Sequence, residues 1–131
     1  MSKVFISYSQ SDRDKVAQFV QALQMVNITG WLDATDIAAG DDISSAVRNA
    51  LSGASAVLVF LSNNALSSRW VQFEIGAAEA LEKRIIPVIL SGTEPREGLP
   101  DILKDRRFID ARNRPPSLVV EEIRRVLERE N

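Results

Sequence analysis

The chain has 131 residues, 45% hydrophobic and 26% charged, with a formal net charge of −2. That length suits one domain with a single sizeable core, and the charge offers no basic field to attract nucleic acid. With neither cysteine nor histidine, the chain can have no disulfide, thiol nucleophile, thiolate zinc site or Ser-His-Asp triad.

Lys3-Val4-Phe5-Ile6-Ser7-Tyr8 is a short apolar run that turns polar at its end, which reads as a buried first strand. Ser11-Asp12-Arg13-Asp14 is a helix start, with a cap and acidic residues in the first turn. Val16, Phe19, Val20, Leu23 and Val26 then trace one helical face. Ile28-Thr29-Gly30-Trp31-Leu32-Asp33 is a second, shorter strand. Residues 34–40 form a loop with Gly40 as its turn residue, and Asp41 or Asp42 caps the next helix. Ile43, Ala46, Val47, Ala50 and Leu51 form the stripe of that helix.

Ala56-Val57-Leu58-Val59-Phe60-Leu61 is continuously apolar, as a central strand buried on both faces would be. Ser62-Asn63-Asn64 ends it. Residues 67–81 then read as a helix capped by Ser67 or Ser68, with Trp70, Phe73, Ala77 and Leu81 at helical spacing. Glu74 stands four residues after Trp70 and shares its face. A carboxylate beside a large aromatic on a packed stripe is costly unless a partner or a pocket justifies it. The plain alternative is a rim glutamate pairing with Arg69 or Lys83.

Ile85-Ile86-Pro87-Val88-Ile89-Leu90 is a fourth strand, whose Pro87 lacks a donor and pushes it toward an edge or an irregular ladder. Residues 91–100 are a loop rich in Gly and Pro, and residues 101–106 hold a short helix or only a loop. Arg107-Phe108-Ile109-Asp110 is a weak fifth strand. Arg106, Arg107, Arg112 and Arg114 cluster around it and read as a solvated rim. Pro115-Pro116-Ser117 opens a last helix with Val119, Val120, Ile123, Val126 and Leu127 inside. Strand and helix alternate throughout, which argues for a parallel sheet covered by helices.

The glycines fall at 30, 40, 53, 76, 92 and 98, and no pair has the spacing of GxGxxG or of a Walker loop. A response-regulator receiver needs an acidic cluster after its first strand and an aspartate ending its third. Here those places hold Tyr8-Ser9 and Ser62. No apolar run reaches membrane-spanning length and no signal peptide precedes the first strand, so the expected location is cytoplasmic, away from membranes. What remains is polar material at the carboxyl ends of strands, where open α/β sheets bind ligands. Ser7, Tyr8 and Ser9 follow the first strand, Asp33 ends the second, and Ser62-Asn63-Asn64 follow the third, with Trp70 and Glu74 just beyond. Loop preference accounts for most of the serines. It accounts less well for Tyr8, Asp33, Trp70 and Glu74.

Four runs in this order resemble a Toll/interleukin-1 receptor (TIR) domain of the bacterial kind. They are Val4-Phe5-Ile6-Ser7-Tyr8-Ser9, Trp31-Leu32-Asp33, Ile37-Ala38-Ala39-Gly40-Asp41, and Trp70-Val71-Gln72-Phe73-Glu74, the last matching the WxxxE run of catalytically active members. The resemblance covers nearly the whole chain, taken as one TIR domain over residues 1–131. It implies a flavodoxin-like three-layer fold, a five-stranded parallel sheet of order 2-1-3-4-5 with helices on both faces.

The resemblance further implies cleavage of NAD+ at the nicotinamide–ribose bond, with NAD+ as substrate and no cofactor or metal. Glu74 falls on the catalytic glutamate, and Trp70 on an aromatic beside the substrate. Tyr8 and Asp33 fall on positions lining the nucleotide pocket, with Ser9 beside them. Some active relatives carry arginines just after the tyrosine. Here Ser9 and Gln10 stand there, leaving Arg13 or Arg48 as substitutes. The loop with Ile37, Gly40 and Asp41 is the expected contact with other TIR domains in a head-to-tail array, in bacterial immune signalling. Neither nucleic acid nor membrane is an expected partner. The competing expectation is a non-catalytic adaptor acting through TIR–TIR contacts.

Overall fold

Every strand pairing in the sheet is parallel, and the strand order is β2-β1-β3-β4-β5. The computed structural model describes residues 2–31, 42–92, 103 and 106–129. In chain order these form β1 (Ser2–Ser7), α1 (Arg13–Met25), β2 (Ile28–Trp31), α2 (Ile43–Ser52) and β3 (Ala56–Leu61). There follow α3 (Asn63–Leu66), α4 (Arg69–Ala80), β4 (Ile85–Ile89), β5 (Ile109–Asp110) and α5 (Pro116–Glu128). A short 3-10 turn at Gln10–Asp12 leads into α1.

Side chains alternate across a strand, so each strand feeds two cores. Val4 and Ile6 of β1, with Leu58 and Phe60 of β3, pack against Phe19 and Leu23 of α1 and Val119 and Ile123 of α5. Phe5 of β1, with Val57 and Val59 of β3, packs on the opposite face against Val47 and Leu51 of α2 and Val71 and Ile75 of α4. All six residues of β3 are buried, as its unbroken apolar run predicts. The inner faces of α1 and α5 also follow their apolar spacing. At Gly30 a Cβ would come within 3.1 Å of the Ile6 side chain, so a larger residue there would have to displace it.

Pro87 does not place β4 at an edge. Leu90 N–H donates to Leu61 O, and Ala111 N–H donates to Ile89 O. In a parallel strand these groups alternate sides, so the missing donor of Pro87 falls on the β5 side. There β5 pairs only with Val88 and Ile89, and the proline breaks no bond of the ladder.

The capping residues are more specific than spacing alone predicts. Ser68, not Ser67, caps α4 by accepting from Val71 N–H at 3.2 Å. Ser62 caps the one-turn α3, a helix unexpected from the sequence, by accepting from Ala65 N–H at 3.0 Å. The chain leaves α4 through Glu82 in the left-handed region (φ 55°), with Lys83 N–H closing onto Ala78 O.

Candidate functional site

The stripe expected on α4 is not the one that packs. Val71, Glu74, Ile75 and Ala78 are its buried residues. Trp70 is half-buried, and Phe73 is 41% exposed with its ring 5.4 Å from that of Trp70. Two apolar stripes share this helix, and the narrower one faces the sheet. Its apolar members are the small or branched Val71, Ile75 and Ala78, while the half-buried indole lies to the side. Glu74 is therefore not a rim residue. It sits within the inner face, with none of its surface exposed. Lys83, a rim residue of the same helix end, instead donates to the carbonyls of Ser52 and Ala54.

Ser7 receives this carboxylate. It is the last residue of β1 and shares the strand face of Phe5, so its side chain points into the layer of α2 and α4. Its hydroxyl donates to Glu74 Oε1 at 2.7 Å, and Ser7 too is completely buried. The other carboxylate oxygen, Oε2, is likewise buried. The carboxyl group thus lies at the carboxyl end of β1, the end at which an open α/β sheet takes its ligands.

A second link ties the neighbouring loops together. Ser62, at the end of β3, donates to Asp12 Oδ2 at 2.5 Å while its oxygen caps α3. Asp12 is thereby diverted from the capping role its position predicts, and no side-chain cap bond forms at the start of α1. Ser9 caps the 3-10 turn, accepting from Ser11 N–H at 3.4 Å, and its carbonyl accepts from Asp12 N–H. These bonds hold the turn after β1 against the turn after β3, next to the Ser7–Glu74 pair.

Tyr8 lies elsewhere. It is 1% exposed and belongs to the core cluster of α1 and α5, across the sheet from Glu74. Trp31, two residues before Asp33, stacks on Phe5 with ring centroids 5.0 Å apart. Asp33, Ile37, Gly40 and Asp41 lie outside the described residues. Arg13 and Arg48 are exposed on α1 and α2. Sequence reasoning missed both the Ser7–Glu74 and the Asp12–Ser62 pairings, whose partners are 67 and 50 positions apart. The one available signal was strand parity, which puts Ser7 on the face of Phe5.

The arginine cluster splits in two. Arg112 bonds Asp110 through Nε at 2.9 Å and reaches Gly92 O, while Arg114 bonds Asp110 O and Glu122. Hydrogen bonds from Arg112 hold the Asp110 carboxyl below the usual aspartate range. Arg106 pairs with Glu79, and Arg107 is exposed. Among the described residues no group of three or more acidic side chains is placed to hold a metal ion. Among them, too, no helix is long and apolar enough to cross a membrane.

The parallel sheet with this strand order, covered by helices on both faces, defines a flavodoxin-like α/β domain. Residues 4–127 match the family model of the TIR domain, and the chain belongs to that family. Among solved structures it is similar to the TIR domain of the Toll-related receptor TRR-2 of Hydra magnipapillata. The two are 19% identical with a TM-score of 0.73, over 99% of this chain and 94% of that one. It is also similar to the TIR domains of the activated Roq1 resistosome that recognizes the effector XopQ, at 20% identity and a TM-score of 0.72, over 97% of this chain and 99% of that one. A prokaryotic SEFIR domain is similar at 21% identity and a TM-score of 0.73, over 97% and 99%. At these identities the likeness is one of fold. No curated protein matches the chain.

Proposed function

We propose that this chain cleaves NAD+ at the nicotinamide–ribose bond, with Glu74 as the catalytic carboxylate. One observation carries the reading. Glu74 is completely buried and bonded to Ser7 at the carboxyl end of β1. Desolvating a carboxylate is unfavourable. A purely structural tether to a serine hydroxyl needs only an acceptor oxygen, which glutamine supplies without that cost. The negative charge is what glutamate adds.

The reaction suits that charge. Nicotinamide leaves as a neutral molecule from a cationic ring, so no general acid is required. The ribose develops oxocarbenium character, which one carboxylate stabilises in a water-poor site. Ser9, Asp33 and Trp70 complete the proposed substrate site, without Tyr8, which is turned into the opposite core, and the half-buried indole offers a flat apolar surface. Attack by water yields ADP-ribose. Attack by a hydroxyl or ring nitrogen of the same molecule yields a cyclic isomer.

Glu74 has no exposed surface in this arrangement, so turnover requires an opening at this end of the sheet. We tie that opening to head-to-tail self-assembly through the loop carrying Ile37, Gly40 and Asp41, in cytoplasmic bacterial immune signalling. The competing reading is a non-catalytic adaptor. The exposed Phe73, its ring tilted against that of Trp70, favours it, as an aromatic pair suited to a protein contact. Incubation with NAD+ over a range of protein concentrations, read by chromatography for free nicotinamide, separates the two. Nicotinamide release supports the enzyme, and its absence at every concentration leaves the adaptor.

A further inference from the structure

At the other end of the sheet from Glu74, a cavity of about 1070 Å³ opens between the starts of β4 and β5 and the second half of α5. Arg84, Arg106, Arg107, Arg125 and Arg129 line it, against Glu122 and Glu128. Both glutamates are engaged by arginines outside this lining. Arg114 reaches Glu122 at 3.0 Å, and Arg124 reaches Glu128 at 2.7 Å. Within the lining, Arg106 pairs with Glu79, and Arg84 donates to Val126 O at 2.9 Å. Arg107, Arg125 and Arg129 take part in none of the salt bridges among the described residues. This excess of positive charge stands on a chain whose net charge is −2.

Arg125 and Arg129 have a simpler role open to them, because cations are favoured at the carboxyl end of a helix. That role does not extend to Arg84, Arg106 or Arg107, which come from two other segments and converge on the same cavity. Guanidinium groups match phosphate oxygens in paired hydrogen bonds, and several of them around one cavity suit a ligand with adjacent phosphates. Half-buried Phe108 adds apolar surface to the lining. The volume is just above the roughly 300–1,000 Å³ usual for small-molecule sites, as suits a large ligand.

We propose that this cavity is a second binding site, for a nucleotide bearing a diphosphate or longer phosphate chain. It lies at the amino ends of the strands, away from the end where Ser7 and Glu74 meet, and it does not depend on the NAD+ reading.

The test is a titration of the 15N-labelled chain, first with inorganic pyrophosphate and then with ADP, followed by amide chemical shifts. Saturable shifts centred on residues 84–86, 106–109 and 122–129 are expected. They should persist in Glu74→Gln. In the double variant Arg107→Glu, Arg129→Glu they should require about tenfold more ligand, as loss of charge-assisted hydrogen bonds implies. Both arginines are exposed, so the variant leaves the core intact. Shifts confined to residues 7–9 and 70–78 would overturn the proposal, as would a wild-type chain that gives no saturable shift. A hexaglutamate peptide that binds this cavity when pyrophosphate and ADP do not would overturn it too, and mark a protein-contact surface.

Discussion

Ser7 and Glu74, 67 positions apart, meet in the interior with the serine hydroxyl 2.7 Å from the carboxylate and no exposed surface on either residue. Glu74→Gln keeps the shape and an acceptor for Ser7 but removes the charge. Nicotinamide release is expected to fall by on the order of a hundredfold or more, with an unchanged fold. Near wild-type turnover by a folded Glu74→Gln chain would sink the catalytic assignment.

Ser7→Ala tests the other half of the pair. It removes a buried donor and leaves the carboxylate oxygen to find another, at an expected loss of about 1–3 kcal/mol in urea unfolding. Activity should fall less than in Glu74→Gln, because the charge remains. An unfolding midpoint equal to wild type would mean that the hydrogen bond contributes nothing to holding α4 on β1.

Trp70 is half-buried, so Trp70→Ala should cost roughly 1–3 kcal/mol, below the ~3–5 of a fully enclosed ring. Trp70→Phe separates packing from substrate handling. The expected result is a melting temperature near wild type with a raised KM for NAD+. If the phenylalanine variant matches wild type in both, the indole is neither a special stacking surface nor a fitted packing element.

Self-assembly makes a prediction about concentration. Head-to-tail contacts need not close, so activity should rise more steeply than linearly, and specific activity should rise, as protein is concentrated. Ile37→Asp should suppress that rise without unfolding the chain, by placing a charge in the contact. Specific activity independent of dilution, with Ile37→Asp as active as wild type, would show that one copy carries a complete site.

Asp110 gives a pH dependence of known sign. Hydrogen bonds from Arg112 lower its pKa in the folded chain. The stabilisation is therefore present above the unfolded-state value and is lost as pH falls through the folded-state value. The pair is partly exposed, with 29% of the Arg112 and 45% of the Asp110 side chain accessible. Solvent screening keeps its worth on the order of 0.5 kcal/mol. Asp110→Asn should thus be less stable than wild type at about pH 6, and the gap should narrow as pH falls below the usual carboxylate range. A gap that stays constant with pH would assign the effect to the neutral hydrogen bonds instead.

Much of the fold was legible because it is written in local periodicity. The unbroken run of β3, the inner faces of α1 and α5, and the strand–helix alternation depend on neighbours within a few residues, and each took the form its spacing predicts. Pro87 was misjudged because its effect depends on which side of β4 lacks a bonded partner at that residue, and that follows from how short β5 is. On α4, periodicity offers two stripes, Trp70-Phe73-Ala77-Leu81 and Val71-Ile75-Ala78, and no local rule chooses between them. The choice was made by the fit of the helix against the sheet, and it turned Glu74 inward onto Ser7. The five arginines of the second cavity come from three stretches of chain that only the packing of α5 beside β4 and β5 unites. Residue types and spacing determined what each element is. Which side chains face one another across the interior was decided by the packing of surfaces distant in sequence, where hydrogen bonds and desolvation act between groups that no local pattern connects.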